Sequence, residues 1–310
     1  MIQSLSISGL ITMEMHALNN EGSEGNTMMT RMVDIVDQRG AKHTVNAVSG
    51  DMFKHILMEH LQQEAKRAGL PLCAGCEIFD ANRICYDEAF MGSFAKGALD
   101  SEVLTGALQK CTLDDAGGVL ITNKIGDKSR SIARKSCIEF GWVVGRPDST
   151  VTESYFHAKY VPEGRGKGSG AGENLGQNIF HRPASSGQYA VVLNVDLYKV
   201  GRNDITLEYA LDEGARAKRK KALLSAVLNT FLKPTGAHRN TQHPHIVQFE
   251  GVITTSLSTV PAPLMSALNP DYLDQLRRIS DSLNKIYPGT IDSHAFTSLG
   301  AFAEQMATLV

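Results

Sequence analysis

The chain has 310 residues, 42% of them hydrophobic and 21% charged, with a net charge of −2. That is an ordinary globular composition, long enough for one large domain or two smaller ones. It excludes the overall basicity of a free-standing nucleic-acid binder, so any nucleic-acid contact must be local or shared between subunits. No secretory signal precedes the first apolar strand and no apolar run is long enough to span a bilayer, which predicts a cytoplasmic protein without a membrane partner. The five cysteines are Cys73, Cys76, Cys85, Cys111 and Cys137. An odd number in a long chain without a signal reads as reduced thiols.

In chain order, an apolar strand (7–15) leads into a polar, asparagine-rich hook (16–26). A second apolar segment (29–36) turns at Gln38-Arg39-Gly40 and returns through 44–48. Apolar residues Met52, Phe53, Ile56, Leu57 and Leu61 at helical spacing predict a helix over 51–68, ended by Gly69 and Pro71. Residues 69–130 are less regular, hold four of the cysteines and predict two helices, 89–96 and 102–110. They read as an insertion decorating a core. Strands are predicted at 136–144, 155–161, 178–182, 188–197 and 246–253, and helices at 216–232, 271–286 and the tail. The pair 155–161 and 178–182 forms a hairpin with a glycine-rich tip (164–172). The core order is strand, helix, strand, strand, helix, strand. This predicts an α+β fold of the ferredoxin-like, RNA-recognition-motif type, an antiparallel sheet with two helices on one face. The aromatic signature of a standalone RNA-recognition motif is absent, so base stacking on an open sheet face is not expected.

Ser49-Gly50-Asp51 begins the first helix. Ser and Asp are ordinary N-caps. Gly50 also permits a ligand backbone to approach. Lys54 and His55 sit in the first turns, where a cation faces an unfavourable dipole and an external anion explains it better. The hook residues Asn19, Asn20 and Asn26 are turn formers, but the loop is long for a turn and offers donors and acceptors suited to phosphates and 2′-hydroxyls. The hairpin tip lacks P-loop spacing and reads as a basic segment carrying Lys159, Arg165, Lys167 and Arg182. The most basic run, 216–221, reads as a solvated helix face that can also attract nucleic acid. The loop 236–245 contains three histidines without metal-site spacing and reads as delivering Arg239, Asn240 and Gln242 to a ligand. Cys73-x2-Cys76, with Cys85 and Cys111 downstream, has one zinc knuckle but lacks the second. Small buried thiols are the preferred reading, and no cofactor is expected. No catalytic motif stands out.

Taken together, "HALNNEGSEGN" (16–26), "VSGDMFKH" (48–55), "CIEFGWVVGRP" (137–147), "YAVVLNVDL" (189–197) and "GAHRNTQHPH" (236–245) resemble the Cas-seven, DevR-type backbone subunit of type I CRISPR surveillance (Cascade) complexes, a repeat-associated RNA-binding family. The resemblance implies a hand: a palm (1–68, 131–154 and 188–310), a finger insertion (69–130) and a thumb hairpin (155–187). It implies a non-catalytic protein of which several copies line up along one CRISPR guide RNA. Its partners would be that RNA, target DNA paired to the guide, further copies of itself, and the other Cascade subunits (the Cas-five and large subunits). The RNA-binding residues would be those above together with Arg31 and His238, and Phe180 or Leu175 would act as an apolar wedge. Sequence would be read by guide-target pairing while the protein holds shape and phosphate. The rival is a metal-dependent RNA-cleaving relative, as among type III backbone subunits, using Asp34, Asp37 or Asp51.

Overall fold

The computed structural model describes residues 2–19, 22–160 and 177–310. Strand β1 (Ser4–His16) is followed by short β2 (Ser23–Glu24) and β3 (Thr27–Met28), the hairpin β4 (Met32–Val36) and β5 (Lys42–Val48), and helix α1 (Gly50–Arg67). The insertion then supplies α2 (Ala74–Glu77), α3 (Glu88–Gly92), α4 (Asp100–Lys110), α5 (Thr112–Gly117) and the short strands β6 (Val119–Ile121), β7 (Lys124–Ile125) and β8 (Lys128–Ser129). Next come β9 (Ile132–Arg134), β10 (Ile138–Phe140), β11 (Val143–Tyr160), β12 (Gln177–Val195), α6 (Glu213–Leu232), β13 (His245–Ser256), α7 (Tyr272–Ile286), β14 (Ile291–Phe296) and α8 (Leu299–Leu309).

The main sheet runs β14-β13-β1-β12-β11-β5-β4, and the neighbours along this path are antiparallel. Strand β1 lies in the interior of the sheet, between β13 and β12, and is buried on both faces over most of its length. Leu5, Ile7, Ile11 and Met13 enter the main core with Phe53 and Leu57 of α1 and Leu223 and Val227 of α6. Each such side chain, fully buried, contributes about 1.5–3 kcal/mol. The opposite face carries Ser6, Ser8 and Leu10. Ser6 Oγ donates to the Pro263 carbonyl at 2.6 Å, the Met265 N–H donates to Ser8 Oγ at 3.0 Å, and Leu10 packs with Tyr272 and Leu276 of α7. This sheet face is therefore covered and offers no open platform for bases.

Three expectations change. Strands β11 and β12 are each continuous through what the sequence reads as separate strands, because a register shift between Gly145 and Thr150 accommodates Arg146-Pro147-Asp148 without ending the ladder. Gly187 (φ +143°) faces that shift, and a Cβ there would lie 2.0 Å from the Ser149 carbonyl oxygen. The tail is only partly helical: β14 pairs with β13 before α8 begins. The basic run 216–221 is only partly a solvated face, with Lys218 and Lys221 exposed. Arg219 and Lys220 are buried, Arg219 donates to Asp115 at 2.8 Å, and the Arg216 guanidinium lies 3.7 Å from the Tyr209 ring centroid.

Candidate nucleic-acid interface

Helix α1 starts at an N-cap, Ser49, whose Oγ accepts from the Met52 N–H at 3.2 Å. The same hydroxyl donates to Asn19 Oδ1 at 3.2 Å, and the Ser49 N–H reaches that oxygen at 3.4 Å. Asn19 is only 8% exposed, so its carbonyl joins the end of β1 to the helix start. Gly50 has an internal reason as well. A Cβ there would fall 2.5 Å from the Phe140 carbonyl oxygen, so the space it leaves is taken by β10 and not by a ligand.

Three further segments close on this place. The Ala237 N–H donates to the Leu18 carbonyl at 3.1 Å and the His238 N–H to that of Ala17 at 3.4 Å. Gln242 Nε2 donates to the Pro183 carbonyl at 2.8 Å, and Arg182 Nη1 to Thr241 Oγ1 at 3.4 Å. The His181 N–H donates to the Asn26 carbonyl at 2.8 Å, which seats the hook on β12. Hook, helix start, hairpin foot and the 236–242 loop, widely separated in sequence, thus form one wall.

Glu59 locks this wall to α1. It accepts from Arg239 at 2.9 and 3.2 Å and from Thr235 Oγ1 at 3.0 Å, and lies 3.4 Å from His55 Nε2. Burial raises its pKa, but the bonds from Arg239 and Thr235 outweigh that and hold it below the usual carboxylate range. Beside it opens a cleft of about 1240 Å³, lined by Lys54, His55, Phe79 and Arg83 and also by Asp51, Asp80 and Glu88. Burial, and then the Arg83 charge, hold Lys54 below the usual lysine range. Two half-buried cations that repel one another favour an anion between them.

Residues 7–277 match the family described as "CRISPR-associated negative auto-regulator DevR/Csa2". The chain belongs to the DevR/Csa2 family. Two solved chains are also similar to it. One, from a "CRISPR RNA-guided surveillance complex, pre-nicking", is 13% identical, with 93% of this chain and 90% of that chain covered and a TM-score of 0.47. The other, from a "CRISPR RNA-guided surveillance complex", is 11% identical, with 99% and 100% covered and the same TM-score of 0.47. No curated protein matches the sequence.

The remaining candidates of this DevR/Csa2 chain divide by exposure. Asn26, His55, Arg239 and Asn240 are exposed on the wall. His238 is half-buried, and burial and then Arg182 hold it below the ordinary histidine range. Phe180 stacks on His157 (centroids 5.5 Å apart, planes at 9°) with the Arg182 guanidinium 4.7 Å from its ring centroid. Asn20, Arg165, Lys167 and Leu175, and the side chain of Lys159, lie outside the described residues.

Sequence reasoning missed three groups. Phe156, 60% exposed, covers the other hairpin face beside His181. Trp142, the single tryptophan, is 42% exposed and lies under the Arg31 guanidinium, 5.2 Å from its ring centroid. Its rarity was the available signal. Arg83 carried none, standing in the irregular insertion.

Asp34 and Asp37 hold the β4–β5 hairpin: Asp34 accepts from Thr44 Oγ1 at 2.7 Å, and Asp37 from the N–H groups of Arg39 and Ala41 at 2.8 and 2.9 Å. Asp51 is exposed on the cleft. All five cysteines are free. Cys73, Cys76 and Cys111 lie together, but Cys85 does not join them. It lines the cleft, with Sγ 3.6 Å from the Leu120 carbonyl oxygen. Among the described residues no helix is long and apolar enough to cross a membrane.

Proposed function

We propose that this DevR/Csa2 chain is a non-catalytic RNA-holding subunit of a CRISPR surveillance complex, several copies of which bind side by side along one guide RNA. The observation that carries the reading is the wall: four segments remote in sequence meet at the start of α1, next to a cleft holding Lys54 and Arg83. A phosphate between those two cations relieves their repulsion and meets the helix start. The strand order β13-β1-β12-β11 is that of a split βαβ sheet. It supports a palm of the RNA-recognition-motif type formed by residues 1–68, 131–154 and 188–310. Residues 69–130 are then fingers, and 155–187 a thumb whose exposed Phe156 and stacked Phe180 press on the guide bound to a neighbouring copy.

The covered sheet face favours backbone holding over base stacking, so sequence is left to guide-target pairing with DNA. The other subunits of the complex complete the particle in the cytoplasm, in keeping with five free cysteines.

The test is a titration with guide-length RNA over a salt series. Lys54→Ala should weaken binding several-fold and lower the slope of log K against log salt by about 0.7, the share of one phosphate contact on a single strand. Unchanged affinity and slope contradict the assignment. Regularly spaced, magnesium-dependent cuts in complementary RNA would overturn the non-catalytic part.

A further inference from the structure

We infer that Cys73, Cys76, Cys111 and Asp114 form a structural zinc site at the root of the insertion. Their ligand atoms all lie within 4.8 Å of one another, and all four residues are buried. Three thiolates and one carboxylate oxygen around a tetrahedral zinc, with bonds of about 2.0–2.3 Å, have edges of roughly 3.5–3.8 Å. The observed spacing therefore suits one ion. Cys73 Sγ and Cys76 Sγ stand 3.3 and 3.7 Å from Asp114 Oδ2.

The sequence shows only half of this arrangement. Cys73-x2-Cys76 is a knuckle around α2, where the Cys76 N–H donates to Cys73 Sγ at 3.4 Å, as suits a thiolate. The second knuckle is Cys111-x2-Asp114, with the same spacing, at the start of α5. An aspartate replaces the expected fourth cysteine. The fold brings the two knuckles together: the Thr112 N–H donates to the Pro71 carbonyl at 2.9 Å, and Gln62 Nε2 of α1 donates to the Cys76 and Glu77 carbonyls at 2.7 and 3.0 Å.

An independent sign is the carboxylate itself. Asp114 is 1% exposed, and its Oδ1 has no hydrogen-bond partner. A carboxyl oxygen without a partner is costly in a protein interior, and a divalent cation supplies what the thiols do not. Zinc is favoured over calcium or magnesium by the three sulfurs, and over copper(I) by the oxygen ligand. The ion would join the α2 and α5 parts of the insertion to each other, at the place where Gln62 of α1 holds the Cys76 and Glu77 carbonyls. Cys76 also lines the cleft that holds Lys54 and Arg83, so the site would fix that cleft's floor.

Metal analysis of the full chain, purified without chelator from zinc-supplemented medium, should give about one zinc per chain. Cys111→Ser and Asp114→Ala should lose most of it. Cys85→Ser, outside the cluster, should keep it. Asp114→Cys should keep the zinc and hold it more tightly in competition with a chelator. If Cys111→Ser fails to fold, the wild-type protein carries the test: a strong chelator should lower its thermal midpoint and added zinc should restore it. The inference is overturned if the wild-type chain contains no zinc and the reduced, chelator-treated chain takes none up. It is overturned equally by a disulfide among the three cysteines in the purified protein, by iron at the site in place of zinc, or by loss of the metal in Cys85→Ser.

Discussion

His16 ends β1 beneath Tyr189, with ring centroids 5.0 Å apart and Nε2 buried without a partner. Its Nδ1 accepts from the Leu18 N–H at 3.5 Å, so a neutral ring sets the turn into the hook. Burial pushes its pKa from 6.5 down to about 4. The unfolded chain therefore binds the proton more readily between those values. Stability is complete above pH 6.5 and is lost as pH falls toward 4, by up to about 3 kcal/mol. Urea unfolding across this range should show that slope, and His16→Gln should flatten it; equal slopes would contradict the account. At the same scale, the helix start shows how one residue serves the fold before it serves a ligand. Ser49 caps α1 and binds Asn19, and Gly50 admits the Phe140 carbonyl. Asp51, Lys54 and His55 of that segment face the cleft, and Lys54, as the lysine among them, carries the RNA-binding prediction.

Among the elements, the insertion is the one whose position needs explaining, since its helices are short. Asp115 on α5 is fully buried and accepts from Arg134 and Arg219 at 2.8 Å each, while the Gly201 N–H donates to its two oxygens at 3.0 Å. One carboxylate thereby joins the insertion to β9, α6 and the loop after β12. Asp115→Ala strands two buried guanidinium groups and should destabilise the protein by about 3–5 kcal/mol in denaturant unfolding. A change below about 1 kcal/mol, the scale of an exposed pair, would contradict this. The regular elements were legible because their periodicity is strong: β1 alternates, with Leu5, Ile7, Ile11 and Met13 on one face, and α1 and α6 carry buried stripes. Strand β14 was not, because only Ile291 and Phe296 at its ends are buried and no alternation marks the stretch between them. The segments of the candidate surface were legible one by one, and the fold brings the hook, Lys54, Arg239 and Gln242 onto or beside one wall. Its contacts were not, because Asn19 pairing with Ser49, Glu59 gathering Arg239, and Asp114 completing a cysteine cluster all depend on long-range folding. Nothing local distinguishes Asp114 from an ordinary helix-start acid.

For the whole molecule, a net charge of −2 is compatible with RNA binding only if cations are gathered locally and repeated. One copy offers Lys54 and Arg83 at the cleft, Arg31 over Trp142, and Arg182 at the hairpin foot. Copies aligned along one strand would turn these into a continuous basic groove with strongly salt-dependent affinity. Phe156 is exposed on the described part of the hairpin, and under the proposed function it is the residue that would contact a neighbouring copy. The most direct measurement is to purify the chain from cells that express a CRISPR array, extract its nucleic acid, and determine mass and sequence together. The account predicts repeat-derived RNA of defined length carrying several copies of the chain. A nucleic-acid-free monomer, or a bound RNA without repeat sequence, would contradict it.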